Sequence, residues 1–298
     1  MILAKQNPIN ILLYFICNIV ITMITKNPVY ISISFFSVVI YSLVLKRPNK
    51  IIKSIIVITI IVLISVFSNP FFNSNGDTSL FTIGKTIFTL ESMFYGLIAT
   101  LMLVSIVLWF RNYNILMTSD KFLYIFRGYF PNISLIISMI LSLIPEMMKK
   151  IKDLNNSLKT SGLYSEKGII NRFKSRFLIL GNIFSWTMEN SLMRSISMKA
   201  RGYGLKGKTN YIIYKYRLKD FFYTLLYLGL SVLIILLNYN NLVGFSFYPL
   251  IDNIDVSVNS IISYILFFVL ANTATFLNVK ENIKWHYLKL KISHSHMH

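Results

Sequence analysis

Residues 87–110 read IFTLESMFYGLIATLMLVSIVLWF, and this stretch decides the class of fold. Glu91 is its only charged residue, and an apolar helix of this length crosses the roughly 30 Å hydrocarbon core of a bilayer. Five other stretches have a similar apolar character: residues 9–25, 28–45, 51–68, 220–238 and 259–279. The 298-residue chain is 55% hydrophobic and only 14% charged, which leaves more apolar surface than a soluble core can bury. We therefore expect an all-α, polytopic membrane protein with about six transmembrane helices.

The loops carry their charge unevenly, and this predicts the topology, because cytoplasmic loops accumulate Lys and Arg. Residues 46–53 and the C-terminal tail are basic, whereas residues 239–258 contain two aspartates and no basic residue. The segment 111–219 holds nineteen Lys and Arg against five acidic residues, in a chain of net charge +19. We expect a plasma-membrane protein with this segment and both termini in the cytoplasm. The predicted parts are four N-terminal transmembrane helices (1–110), a basic cytoplasmic or juxtamembrane helical segment (111–219), and two C-terminal transmembrane helices with a basic tail (220–298).

Two amphipathic helices are predicted inside the basic segment, because apolar residues recur there at helical spacing. The first apolar stripe consists of Ile144, Met147, Ile151, Leu154 and Leu158. The second consists of Met188, Leu192, Ile196 and Ala200. A stripe of this kind can pack inside the protein or face a partner. The pattern alone leaves both interpretations open.

The two predicted helices end alike, with SLKTSG at residues 157–162 and SMKARG at residues 197–202. The glycines suit the left-handed position that closes a helix, and the lysines favour its negative end. Capping explains these glycines and lysines but not the whole repeat, which suggests docking on two similar surfaces. The candidate binding residues are Thr160, Ser161 and Gly162 at the first end, and Lys199, Ala200, Arg201 and Gly202 at the second.

Other candidate chemistry is sparse. Residues 202–209, GYGLKGKT, match a phosphate-loop pattern, but a phosphate loop follows a strand and opens a helix, whereas an amphipathic helix precedes this one. Glu91 is an ionisable residue inside an apolar run and is by default functional, unless it reaches water at the outer end. The terminal residues His294, His296 and His298 could bind a metal, although a frayed tail is the simpler explanation. We expect no cofactor, no metal site and no catalytic activity.

Several short motifs lie along residues 1–240, and the last is the most specific: Asn69-Pro70-Phe71-Phe72, Gly76-Asp77-Thr78, Thr89-Leu90-Glu91, Thr118-Ser119-Asp120, Ile144-Pro145-Glu146 and Lys199-Ala200-Arg201-Gly202-Tyr203. With them the chain resembles the transmembrane T component of energy-coupling factor (ECF) transporters, the EcfT/CbiQ family. The final apolar run and the basic tail look like an extension found in some members only.

The resemblance implies an ABC-type importer in which two coupling helices, each ending in Ala-Arg-Gly, dock into grooves of two ATPase subunits. The membrane part would hold a substrate-binding S component for a vitamin or a transition metal. Ala200, Arg201 and Gly202 match this motif. At the first end Thr160 and Ser161 stand in place of Ala and Arg, and only Gly162 matches, so we expect two different ATPase subunits, a heterodimer.

The expected partners are therefore two ABC-type ATPase subunits, a substrate-binding S component and membrane lipid. No nucleic acid is expected. An alternative is an unrelated secondary transporter that carries its own solute, which should show matching interrupted spans in its two halves. A membrane-bound enzyme is a third class, and it would need an intramembrane cluster of His, Asp or Glu.

Overall fold

The computed structural model describes residues 6–45, 48–72, 78–83, 86–161, 169–205, 216–239, 245–248, 251–253 and 255–295. These residues form nine α-helices and one short antiparallel hairpin. The elements are α1 (Pro8–Ile24), α2 (Pro28–Val44), α3 (Pro48–Phe72), β1 (Ser79–Ile83), β2 (Thr86–Thr89), α4 (Leu90–Leu116), α5 (Ser119–Tyr129), α6 (Pro131–Thr160), α7 (Ile169–Ala200), α8 (Leu218–Tyr239) and α9 (Val258–Ser295). The protein is an all-α polytopic membrane protein, as predicted; the hairpin was not predicted.

Four helices of the described residues are long and apolar enough to cross a membrane: α4, α6, α8 and α9. Three of them contain most of a predicted span. The predicted span 87–110 starts before the helix does, because Thr86–Thr89 form a strand. The helix begins at Leu90, and the Thr89 side chain caps it by accepting a hydrogen bond from the Ser92 amide. Two shorter helices, α1 and α2, coincide with predicted spans but have 17 residues, about 25 Å of helix.

The helix α6 lies within the segment 111–219, where no span was predicted. It has 30 residues and satisfies the length and hydropathy criteria for a membrane span. Its first half supplies the apolar residues, whereas its second half carries Lys149, Lys150, Lys152 and Lys159. The cytoplasmic location of the whole segment stays a prediction.

Residues Met1–Thr118 and Lys215–His298 form one compact unit, whose core is aromatic. Tyr14, Phe15, Tyr41, Trp109 and Tyr227 are buried in one cluster contributed by α1, α2, α4 and α8. The rings of Tyr14 and Phe15 each meet Trp109 edge to face, with centroids 5.8 Å apart. Such pairs contribute roughly 0.5–1.5 kcal/mol beyond the area they bury, so the cluster ties these helices together.

Polar side chains also join the helices of this unit. The Trp109 indole donates to Ser34 Oγ at 3.0 Å, Asn112 donates to Ser42 Oγ at 2.9 Å, and Asn272 donates to Ser37 Oγ at 2.9 Å. Hydrogen bonds between membrane helices contribute about 0.6–2 kcal/mol each. All three bonds connect α2 with α4 or α9, so α2 is held from two sides.

Close packing between α3 and α4 explains the glycine at position 96. A Cβ atom on Gly96 would lie 2.9 Å from Asn69 Cβ and 3.2 Å from the Ser65 carbonyl oxygen. Small residues at such positions let membrane helices approach closely. Asn69 belongs to the quoted Asn-Pro-Phe-Phe motif, so this motif marks a helix contact.

Residues Ser119–Tyr214 form a second compact unit, in which α6 and α7 pack against each other in opposite directions. Its small core joins Leu158 of α6 to Ile179 and Ile183 of α7. Met147, Ile151 and Leu154, the rest of the first predicted stripe except Ile144, are packed against this core. The first stripe, apart from Ile144, therefore packs within the protein.

Candidate functional site

The C-terminal end of α7 has a well-defined geometry. Gly202 has a φ of +78°, its amide donates to the Lys199 carbonyl at 3.0 Å, and the Tyr203 amide donates to the Met198 carbonyl at 3.0 Å. These two bonds form a Schellman motif, which satisfies carbonyls that a helix end would leave without donors. Gly202 is therefore needed for its left-handed backbone, and the turn holds the preceding residues at a fixed helix end.

The side chains before this glycine point to solvent. Lys199, Ala200 and Arg201 are exposed. Within the described residues, Arg201 forms neither a hydrogen bond nor an ion pair through its side chain. An exposed guanidinium at the end of a helix can form bidentate hydrogen bonds to a carboxylate of another protein.

The C-terminal end of α6 is chemically different. Thr160 Oγ1 donates to the Ser157 carbonyl at 2.9 Å, and Ser161 Oγ donates to the same carbonyl oxygen at 2.8 Å. Both hydroxyl groups thus bond to their own helix, and neither carries a charge. Gly162, the third candidate residue of this end, lies outside the described residues.

A polar cluster joins α6 and α7 midway along their contact, and we call it the Glu146–Arg194 clamp. Arg194 Nη2 donates to both oxygens of Glu146, at 2.8 and 2.7 Å, and Arg194 Nη1 donates to Ser142 Oγ at 3.1 Å. Asn190 Nδ2 adds a bond of 3.3 Å to Glu146. One guanidinium nitrogen thus bridges both carboxylate oxygens while the other is held by Ser142, so the clamp ties Arg194 of α7 to two successive turns of α6.

The clamp was not predicted as a unit. Glu146 stood in the quoted Ile-Pro-Glu motif, and Arg194 lay off the apolar stripe. Their opposite charges on two predicted amphipathic helices were the available signal, but a separation of 48 residues gives no reason to pair them.

Glu91 lies at the first turn of α4 and is only 2% exposed. Its Oε1 accepts hydrogen bonds from the Thr78 amide at 3.3 Å and from Thr78 Oγ1 at 2.8 Å. The start of a helix also favours a negative charge. In this structure Glu91 therefore fastens the residue before β1 to the start of α4, and its carboxylate is buried by the chain.

Asp220, at the edge of a predicted span, is also tied to a helix start. Its Oδ2 accepts a bond from the Arg217 amide at 3.0 Å, which is the reciprocal half of a capping box at the N-terminus of α8. The Asn10 side-chain amide donates to the Asp220 carbonyl oxygen at 3.1 Å and links α1 to this end of α8.

The phosphate-loop pattern begins where α7 ends. Gly202 and Gly204 both have a positive φ, +78° and +100°, and they follow a helix rather than a strand. A helix C-terminus carries the negative end of the dipole, which disfavours a phosphate group. Gly207, Lys208 and Thr209 lie outside the described residues, so the absence of a nucleotide site stays a prediction.

The described residues hold no group of three or more His, Cys, Asp or Glu side chains that could bind a metal ion. The side chains of His294, His296 and His298 lie outside the described part of the chain. No model of a known protein family matches the chain, and no curated protein matches it.

Proposed function

We propose that the chain is the energy-coupling transmembrane subunit, or T component, of an ECF-type ABC importer. In this role it links two ATPase subunits to a substrate-binding S component for vitamin or transition-metal uptake. One observation carries the proposal: the fixed, exposed Lys199-Ala200-Arg201 end of α7, closed by Gly202, in a unit separate from the aromatic membrane bundle. The same tetrapeptide carries the resemblance to the T-component family.

The charge of the 119–214 unit supports docking to acidic grooves. This unit contains fifteen Lys and Arg against five Asp and Glu. Complementary potentials steer association and select partners. The helix end presents one guanidinium at a defined position, which is the feature an acidic groove can grip.

The second apolar stripe supports a partner as well. Met188, Leu192 and Ile196 are 55%, 64% and 62% exposed. These side chains follow one another along α7 towards Arg201, so an apolar face leads to a charged end. A partner that covers this face would bury a continuous apolar strip and meet the arginine at its rim, the arrangement of many protein interfaces.

The proposed subunit is a scaffold in the plasma membrane, with both termini in the cytoplasm and no chemistry of its own. ATP hydrolysis would belong to the two partner subunits. Closure of those subunits would move the ends of α6 and α7, and the Glu146–Arg194 clamp would transmit this movement between the two helices. The unequal helix ends support two different ATPase subunits.

Affinity purification of the tagged chain from its native membrane tests the proposal. We expect two ABC-type ATPases and a small membrane S component to co-purify with it. Arg201→Ala should weaken ATPase retention about tenfold or more, since a charge-assisted hydrogen bond contributes about 1.5–3 kcal/mol. Arg176→Ala, which removes an exposed arginine from the same helix, is the matched control and should retain both ATPases.

Two outcomes would contradict the proposal. Equal, small losses for Arg201→Ala and Arg176→Ala would mean that the helix end is not the docking site. Solute transport by the purified chain alone, in vesicles without ATPase subunits, would favour the secondary transporter.

Cysteine labelling tests the proposed topology. With Cys17 replaced, a single cysteine at Ser161 should be labelled only from the cytoplasm and one at Asn253 only from outside. A cysteine at Asn132, at the other end of α6, should also be labelled from the cytoplasm if residues 111–219 lie inside. Labelling of Asn132 from outside would instead make α6 a further transmembrane helix.

A further inference from the structure

A groove runs between the first half of α6 and the last half of α7, with a volume of about 480 Å³. Its α6 wall is apolar and includes Leu135, Met139, Ile140 and Leu143. It reaches the end of α7 at Lys199. All of its lining residues belong to the 119–214 unit.

The charges in the groove are placed asymmetrically. Arg194 is paired with Glu146 in the clamp, which leaves little net charge there. Lys199 forms no side-chain hydrogen bond or ion pair within the described residues. The groove therefore has an apolar wall on α6, uncharged hydroxyl groups of Thr187, Ser191 and Ser195 on α7, and a positive charge at one end. This pattern matches an amphiphile with an anionic head group.

A bilayer surrounds this protein with such molecules. The helix α6 is long and apolar enough to lie in a membrane, and Ile140 is half exposed. Basic segments beside a membrane attract anionic lipids, and basic pockets between helices bind their head groups. We propose that this groove binds one acyl chain of an anionic phospholipid whose phosphate pairs with Lys199.

The lipid site goes beyond the proposed transport function and is tested on the purified chain alone. A photo-crosslinking residue, benzoylphenylalanine, replaces Ile140, and the full chain is placed in vesicles of equal parts phosphatidylglycerol and phosphatidylcholine. Mass spectrometry measures the two lipid adducts. We expect about tenfold more phosphatidylglycerol adduct, and equal adducts in Lys199→Ala.

Lys149→Ala is the matched control, because Lys149 is exposed on α6 and does not line the groove. It should leave the preference unchanged. Benzoylphenylalanine at Ile136, a neighbouring residue of the groove, provides a second position if the first disturbs folding.

Each remaining outcome would overturn the proposal. Equal adducts in the unsubstituted chain would mean ordinary boundary lipid, and a preference that persists in Lys199→Ala would place the head group elsewhere. Loss of the preference with millimolar inorganic phosphate would identify a site for free phosphate. A crosslink to a second copy of the chain, without lipid, would mean that a protein covers the groove.

Discussion

The two long helices of the 119–214 unit each carry an apolar stripe, and the two stripes have different surroundings. On α6, Leu158 and the residues before it pack against Ile179 and Ile183. On α7, the stripe that contains Leu192 and Ile196 stays exposed. Both stripes have helical spacing, so spacing identifies an apolar face but not what covers it.

The exposed stripe is informative because the side of α7 that faces α6 is more polar than the side that carries the stripe. Thr187, Ser191 and Ser195 line the groove beside α6, whereas Leu192 and Ile196 lie about 100° further round the helix. A helix that serves only its own fold would turn its apolar face towards its neighbour. In the last half of α7 the stripe lies to one side of this neighbour and stays exposed, which is the arrangement expected of a surface that a partner or the bilayer completes.

The largest expected effect separates the two stripes directly. Leu158→Ala should destabilise the 119–214 unit by about 2–3 kcal/mol, because it removes a buried side chain from a small core. Leu192→Ala is the matched control and should change stability by less than about 0.5 kcal/mol, because the side chain is exposed. Hydrogen exchange of α6 and α7 in the full detergent-solubilised chain measures both.

Binding of the partner proteins should depend more directly on Leu192 than on Leu158. Leu192→Ala should reduce retention of the co-purified partners, whereas any loss in Leu158→Ala should follow its loss of structure. If both variants kept the stability and the partners of the unsubstituted chain, the first stripe would not stabilise the unit and the second would not bind a partner.

The next effect concerns the helix end that the exposed stripe leads to. Gly202→Ala should cost about 1–2 kcal/mol of local stability, because a non-glycine residue resists the left-handed backbone. Its new Cβ atom would also lie 3.1 Å from Leu205 Cδ1. Asparagine tolerates this conformation better, so Gly202→Asn should cost less. Faster amide exchange at Tyr203 in the alanine variant would report the frayed end, and equal exchange in all three proteins would contradict the assigned role.

The sequence predicted the fold class and most of the apolar stripe of α6 that packs against α7. It placed Gly202 at a left-handed helix end, and the structure confirms this position. It did not identify the hairpin, because β1 and β2 are five and four residues long and continue into an apolar helix. Nor could it pair Ser142 and Glu146 with Arg194, because spacing within one helix contains no information about register between two.

A smaller effect is expected from the Glu146–Arg194 clamp, which joins the two helices that carry the stripes. The pair is partly exposed, with 49% of the Glu146 side chain and 32% of the Arg194 side chain accessible, so its charge-assisted bonds should contribute only about 0.5–1 kcal/mol. Glu146→Arg or Arg194→Glu alone should therefore destabilise the helix crossing modestly, by repulsion. The exchange of both residues should restore it.

The readout is the distance between spin labels on the exposed positions Met148 and Met188 in the full chain. Either single reversal should broaden the distance distribution, and the double exchange should narrow it again. A distribution that is unchanged in all three variants would show that the apolar core at Leu158 alone sets the crossing.

The smallest expected effect is at the other helix end, where Ser161 occupies the position that corresponds to Arg201 in the repeat. Ser161→Arg removes one hydroxyl bond to the Ser157 carbonyl and adds an exposed cation at the negative end of α6. These changes act in opposite directions, so the stability of the variant should stay within about 0.5 kcal/mol of that of the unsubstituted chain.

If two different ATPase subunits dock on the two ends, the groove that meets Ser161 lacks the acidic residues that would bind an arginine. The variant should then retain its ATPases no better than the unsubstituted chain, as measured by co-purification beside Arg201→Ala. A clear gain would mean that both grooves are acidic and that one kind of ATPase subunit fits both helix ends.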